Sequence, residues 1–274
     1  EKLAATNMDQ TDGYGLDPYC DEARELIKKA CGRMDADVHF LVGGTQTNLT
    51  IICAALRPHQ AVLATVQSHV NTHEAGAIEH TGHKVIELPS EDGKLTAAMV
   101  KAAWEQYDTD PAREHWAQPK LVYISQPTEI GSMYSKEEMA ELYAYCQSVG
   151  LYLFVDGARL GYALAAPDSN MTLADLANSC DVFYIGGTKC GLLFGEAVVI
   201  TNPALKPDFR TIAKQAGAIL AKGRLLGVQF GTIFKNNLYF EICGKATRHA
   251  LAIRDLLLEK GFKFLTESST NQQF

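Results

Sequence analysis

The stretch DVFYIGGTKCGLLFGEAVVI, Asp181 to Ile200, sets two short apolar runs on either side of a glycine-punctuated turn. The first run, Asp181 to Ile185, and the second, Ala197 to Ile200, have the length and β-branched or aromatic content of buried strands, and the turn between them carries one basic side chain, Lys189. The reading is strand, tight loop, strand. Gly186, Gly187, Gly191 and Gly195 let the backbone approach something closely. A lysine held between largely apolar neighbours loses hydration, which favours the neutral amine, and a neutral amine can attack a carbonyl. By itself the stretch also fits a surface lysine in a polar turn.

Working outward, the chain alternates strand-like and helix-like runs. Leu151 to Val155 is an apolar strand that delivers Asp156-Gly157-Ala158-Arg159. A carboxylate at such a tip is costly to bury without a partner, which could be Arg159, the start of the next helix, or a ligand. Leu121 to Ile124 leads in the same way into Ser125 to Gly131, with Glu129 in that loop. Ala61 to Val66 empties into Ser68 to Glu74 and puts His69 just past a strand end, where alternating sheets place their ligands, although a structural histidine would sit there equally well. Val38 to Val42 ends in Gly43-Gly44-Thr45-Gln46-Thr47-Asn48 ahead of an apolar helix near Leu49 to Leu56. That geometry offers free N–H groups to an anion, and it matches neither the Walker sequence nor GxGxxG. Further helices are expected from Asp17-Pro18 to about Cys31, over Leu95 to Tyr107, over Lys136 to Val149, and as one long helix from roughly Gly227 to Lys260. A surface loop is expected from Asp108 to Lys120, and a strand starts at Phe262 to Leu265.

With 274 residues, 47% of them hydrophobic, the chain can bury a substantial core. A net charge of −7 and the lack of a Lys/Arg cluster mixed with aromatics argue against nucleic acid as a partner. No apolar run approaches the roughly 18–20 residues of a membrane span and no signal-peptide pattern opens the chain, so a cytoplasmic protein without membrane attachment is expected. Seven scattered cysteines with no CxxC pair read as reduced thiols and core filler rather than metal ligands, with Cys190 beside Lys189 as the candidate for reactivity.

Taken together, an anion cradle at Gly44 and Thr45, His69, Asp156 with Arg159, and Lys189 each follow a different strand of one alternating sheet. One ligand explains all of them: pyridoxal 5′-phosphate. Its phosphate needs a helix N-terminus, its aldehyde a lysine amine, and its ring nitrogen a carboxylate; an imidazole can lie on the ring and an arginine can take a substrate carboxylate.

These motifs, GGTQTN, SHVNTHEAG, VDGAR and the GGTK loop after Tyr14-Gly15 and Asp17-Pro18, occur in the order found in low-specificity threonine aldolases, and from about Tyr14 to Lys260 the sequence resembles that branch of the β-eliminating lyases. The resemblance implies an α/β, aminotransferase-like type I fold, with a mostly parallel central sheet flanked by helices and a truncated or incomplete C-terminal small domain. It divides the chain into an N-terminal arm (1–15), a large cofactor-binding domain (16–220), and a linking helix with the start of the small domain (221–274). It implies that Lys189 bonds to the cofactor aldehyde, Asp156 holds the ring nitrogen, Arg159 the substrate carboxylate, His69 the ring face, and Gly44 and Thr45 the phosphate, with Lys222 reaching the phosphate from a neighbouring subunit of a homodimer or homotetramer. The implied reaction is cleavage of the Cα–Cβ bond of threonine or allo-threonine into glycine and acetaldehyde; β-elimination on another amino acid, or a non-catalytic protein keeping the fold, are the alternatives. Where relatives carry a histidine that handles the β-hydroxyl, this chain has Glu129, which leaves His69, or a water held by His69 or Glu129, as the base.

Overall fold

A computed structural model describes all 274 residues. Its centre is a seven-stranded sheet made of β1 (Asp37–Leu41), β2 (Gln60–Thr65), β3 (Lys84–Leu88), β4 (Gln118–Ser125), β5 (Tyr152–Asp156), β6 (Val182–Gly186) and β7 (Glu196–Ile200), in the order β1-β7-β6-β5-β4-β2-β3. All neighbouring pairs are parallel except those of β7, which runs antiparallel to both β1 and β6. The Asp181 to Ile200 stretch is therefore a hairpin-like return, and it points the turn that carries Lys189 to the edge where the parallel strands end.

The central strands β6 and β7 are buried on both faces, which suits their nearly continuous apolar sequence. Phe183 and Ile185 face one core, with Leu153, Val155 and the helices Pro18–Cys31 and Lys136–Val149; Val182 and Tyr184 face the other, with Phe154 and the helix Gly44–Ala55. Removing one such aromatic side chain costs about 3–5 kcal/mol. Helix ends follow their capping chemistry. Asp17 accepts from Cys20 N at 3.0 Å before Pro18, and Ser135 with Glu138 closes a capping box.

The glycines of the hairpin turn out to serve chain packing. A Cβ on Gly186 would stand 2.2 Å from the Ala158 carbonyl oxygen, and one on Gly157 only 1.9 Å from that of Tyr184. The close approach is thus to the chain's own backbone, β5 against β6, and it brings the Asp156 and Lys189 segments together.

Three expected elements differ. The cradle residues are the first turn of the helix itself, which begins at Gly44 and not near Leu49, because Gly43 already stands extended as its N-cap. The long helix expected from Gly227 to Lys260 is two, Arg224–Phe234 and Leu238–Glu259, separated where Asn236 and Asn237 take the left-handed conformation that asparagine tolerates. Phe262 to Leu265 forms no strand; no neighbouring strand offers a ladder, and its backbone N–H groups donate instead to the end of the preceding helix, from Phe262 N to Leu257 O, and to the chain's last residue, from Leu265 N to Phe274 O. The arm at residues 1–15 includes a helical turn, Lys2–Ala5, anchored where Arg224 donates to the carbonyls of Thr6 and Asn7.

Candidate active site

At the strand ends lies a cavity of about 370 Å³, lined among others by Gly43, Gly44, Thr45, His69, Ser125, Glu129, Asp156, Arg159, Tyr184, Thr188, Lys189 and Glu196. It falls within the roughly 300–1,000 Å³ usual for small-molecule sites. Seven of the eight residues singled out from the sequence meet there. The eighth, Lys222, is exposed on the turn before the Arg224–Phe234 helix and does not line the cavity. A larger cleft of about 940 Å³ lies elsewhere, between the loop after β4 and the C-terminal tail, and none of the seven reaches it.

Asp156 ends β5 and is buried. It forms no ion pair with Arg159. Tyr184 OH donates to its Oδ1 and Tyr123 OH to its Oδ2, each at 2.5 Å, while Ala158 N reaches Oδ1 at 2.9 Å and Asn48 Nδ2 reaches Oδ2 at 3.0 Å. The register explains one of these donors. β5 and β6 pair Phe154 with Val182, and two residues on, the same alignment sets Tyr184 beside Asp156. Four donors repay much of the desolvation that burying the carboxyl costs.

His69 stands half-buried at the start of the short turn after β2, with Nδ1 2.7 Å from Glu74 Oε1. That hydrogen bond is the main reason its pKa lies above the usual 6.5, against the opposing effect of burial. Its backbone N donates to Glu129 Oε1 at 3.0 Å, and Ser125 Oγ donates to the same oxygen at 2.6 Å. Burial raises the Glu129 carboxyl above its usual 4.5 despite these bonds. Glu196, the first residue of β7, accepts from Gly187 N at 3.0 Å, and burial pushes its carboxyl up to about 7.

Lys189 departs from expectation. Its side chain is exposed at the cavity mouth, so apolar packing within this chain does not dehydrate it. Its loop is instead fixed from below, by Gly187 N and Thr188 N donating to Gly195 O and by Tyr162 OH donating to the Lys189 carbonyl. Cys190 next to it is fully buried and turned toward the Ala158 carbonyl, as core filler would be.

The residues fit pyridoxal phosphate on three observations. No side chain caps the Gly44–Ala55 helix, so its first-turn N–H groups remain available to an anion. A Cβ at Gly43 would meet nothing within 4 Å, which leaves room beside that turn. The Asp156 carboxyl and Lys189 border the same cavity.

Sequence reasoning missed Asn48, Glu74, Tyr123, Tyr184 and Glu196. Tyr123 shares its strand face with the strand-end Ser125, a period-2 signal present in the sequence, whereas Tyr184 reaches Asp156 only through strand pairing; Asn48 and Glu74 lie inside GGTQTN and SHVNTHEAG but carry no spacing that pairs them.

Such convergence at the ends of parallel strands defines an α/β enzyme acting on a small polar ligand. The sequence matches the beta-eliminating lyase family over residues 1–268. It is 30% identical over 249 residues to the low specificity L-threonine aldolase of a Pseudomonas species, covering 90% of this chain and 70% of that protein. The solved structure of Leishmania major threonine aldolase superposes with a TM-score of 0.96 at 48% identity, over 99% of this chain and 78% of that one. An aspartate aminotransferase variant of Thermus thermophilus, 18% identical, shares the fold with a TM-score of 0.72 over 97% of this chain and 69% of its own. The chain belongs to the threonine aldolase and β-eliminating lyase family, and is an enzyme of the lyase class with the aminotransferase-like type I fold. No helix is long and apolar enough to cross a membrane.

Proposed function

We propose that the cavity holds pyridoxal 5′-phosphate and that the enzyme cleaves the Cα–Cβ bond of β-hydroxy-α-amino acids, with threonine and allo-threonine giving glycine and acetaldehyde. One observation carries this reading: an amine (Lys189), a four-fold hydrogen-bonded carboxyl (Asp156) and an uncapped helix N-terminus (Gly44, Thr45) border one cavity. When bound, the cofactor supplies an electron sink for the bond at Cα. The protein does the rest. Gly44 and Thr45 N–H groups hold the phosphate, and Lys222 of a neighbouring subunit would add a charge to it. Asp156 would hold the ring nitrogen and keep it protonated, and Lys189 would hold the aldehyde carbon. Arg159 grips the substrate carboxylate as a bidentate partner and so orients the Cα–Cβ bond. His69 would lie against the ring and accept the β-hydroxyl proton. The proton His69 takes would be given back as glycine forms, and Glu129, whose carboxyl burial raises, would hold the His69 segment in place by accepting from its backbone N.

Residues 16–220 form the cofactor-binding unit and residues 221–274 the connection to a smaller domain in this reading. Exposure of Lys189 and Lys222 favours a homodimer or homotetramer in which a second subunit closes each site. Seven unpaired cysteines favour a reducing compartment such as the cytoplasm. Incubation with threonine and added cofactor tests the reaction: glycine plus acetaldehyde is expected, whereas a keto acid plus ammonia would assign β-elimination instead. Lys189→Ala should lose the visible absorbance of the bound cofactor; an unchanged spectrum and turnover would refute the assignment.

A further inference from the structure

Glu74 has no part in the reading above, yet its side chain is fully buried and touches the groups that do. Its Oε1 lies 2.7 Å from His69 Nδ1 and accepts from Asn48 Nδ2 at 2.6 Å; the same Asn48 nitrogen donates to Asp156 Oδ2 at 3.0 Å. One amide NH₂ thus bridges two carboxyl groups that come from different strand ends. Turning that amide over would set its carbonyl oxygen against both, so the network itself fixes its orientation. Since Glu74 Oε1 already receives a hydrogen from Asn48, the remaining contact is satisfied by His69 donating from Nδ1. The arrangement is expensive. Glu74 Oε2 and Asn48 Oδ1 are buried with no protein partner, each at the cost of its lost hydration. A buried polar chain that weakens the fold and ends on His69 and Asp156 has its purpose in the cavity those two residues line.

We propose that Glu74 is a positioning residue: it holds the Nδ1–H of His69, so that Nε2 is the nitrogen offered to the cavity, and through Asn48 it ties the ring's orientation to the Asp156 carboxyl. The consequence for proton transfer rests on the proposed function; the hydrogen-bond arrangement stands without it. The other groups facing His69 are Glu129, which accepts from its backbone N, the His73 ring at 5.6 Å between centroids, and the charges of Asp156 and Lys189, of which only Lys189 lowers its pKa.

The test is long-range ¹H–¹⁵N correlation of ¹⁵N-histidine in the full chain without added cofactor, with His69→Asn used only to assign the signal. Above its titration midpoint, wild-type His69 is expected as the Nδ1–H tautomer. Glu74→Gln, which keeps the shape and loses the charge, should weaken proton binding at His69 about ten-fold, and Glu74→Asp should restore part of it. An Nε2–H tautomer in the wild type, or an unchanged His69 midpoint in Glu74→Gln, overturns the proposal. The wild-type measurement decides even where the variant does not fold. Failure of the cofactor reading shows separately, as no visible absorbance on adding pyridoxal phosphate, and leaves the tautomer result intact.

Discussion

Replacing Glu196 by glutamine removes a carboxyl that the fold holds at a cost. Glu196 is 3% exposed, and burial is the main reason its pKa rises from the usual 4.5 to about 7. Because the raised value belongs to the folded state, the native protein binds the proton more tightly than the unfolded chain, and stability falls as pH climbs between those two values. At 1.36 kcal/mol per pH unit, the ionised carboxyl destabilises the native state by roughly 3 kcal/mol above pH 7, a penalty absent below pH 4.5. Glutamine is isosteric, still accepts from Gly187 N, and does not titrate. Urea unfolding followed by far-ultraviolet circular dichroism should therefore give nearly equal stabilities for wild type and Glu196→Gln at pH 4.5, and a variant more stable by about 3 kcal/mol at pH 8. In a thermal scan each kcal/mol corresponds to roughly 2–4 °C for a domain of this size. A difference between the two proteins that does not change with pH would refute the assignment. A buried acid kept beside the Lys189 loop at that expense is what a site selected for chemistry over stability contains.

Other outcomes follow from the same geometry. Arg159→Lys replaces a bidentate fork by a point charge, and the KM for threonine should rise about 10–100-fold, the equivalent of one charged hydrogen bond of roughly 1.5–3 kcal/mol, with a smaller change in kcat. Glu74 and burial act oppositely on His69 and the hydrogen bond wins, so kcat/KM should fall as pH drops through a value above 6.5; a limb at or below 6.5 would exclude His69 as the base. Gly157→Ala drives a methyl into the Tyr184 carbonyl and should destabilise the fold by about 1–3 kcal/mol or more, read as a lower urea midpoint. Tyr184→Phe leaves Asp156 Oδ1 with one donor instead of two and should lower stability by about 1–3 kcal/mol; no change would mean that water replaces the hydroxyl.

Much was legible in the residue order because its signals are local. Apolar runs of four to six residues bounded by glycine marked the strands, Asp17-Pro18 and Gly150 marked helix ends, and each strand announced at its tip the side chain it would deliver. That Gly44, His69, Glu129, Asp156, Arg159 and Lys189 would converge followed from parallel strands sharing one edge, a rule that needs only their alternation with helices. Where the reading slipped, the deciding interaction was non-local. The break at Asn236-Asn237 leaves helix-compatible spacing on either side, and a possible strand at Phe262 forms only if another strand lies beside it.

The sequence by itself determined which elements form and which reactive groups stand at their ends, since periodicity, caps and strand tips are properties of neighbouring residues. Tertiary structure alone decided who touches whom: that Asp156 takes its donors from Tyr123, Tyr184 and Asn48 instead of Arg159, that Glu74 backs His69, that Lys189 stands open at the mouth while Glu196 is sealed beneath it. Those contacts depend on strand order, on register and on two glycines letting β5 and β6 close up, and side chains tens of residues apart meet only once the sheet has assembled.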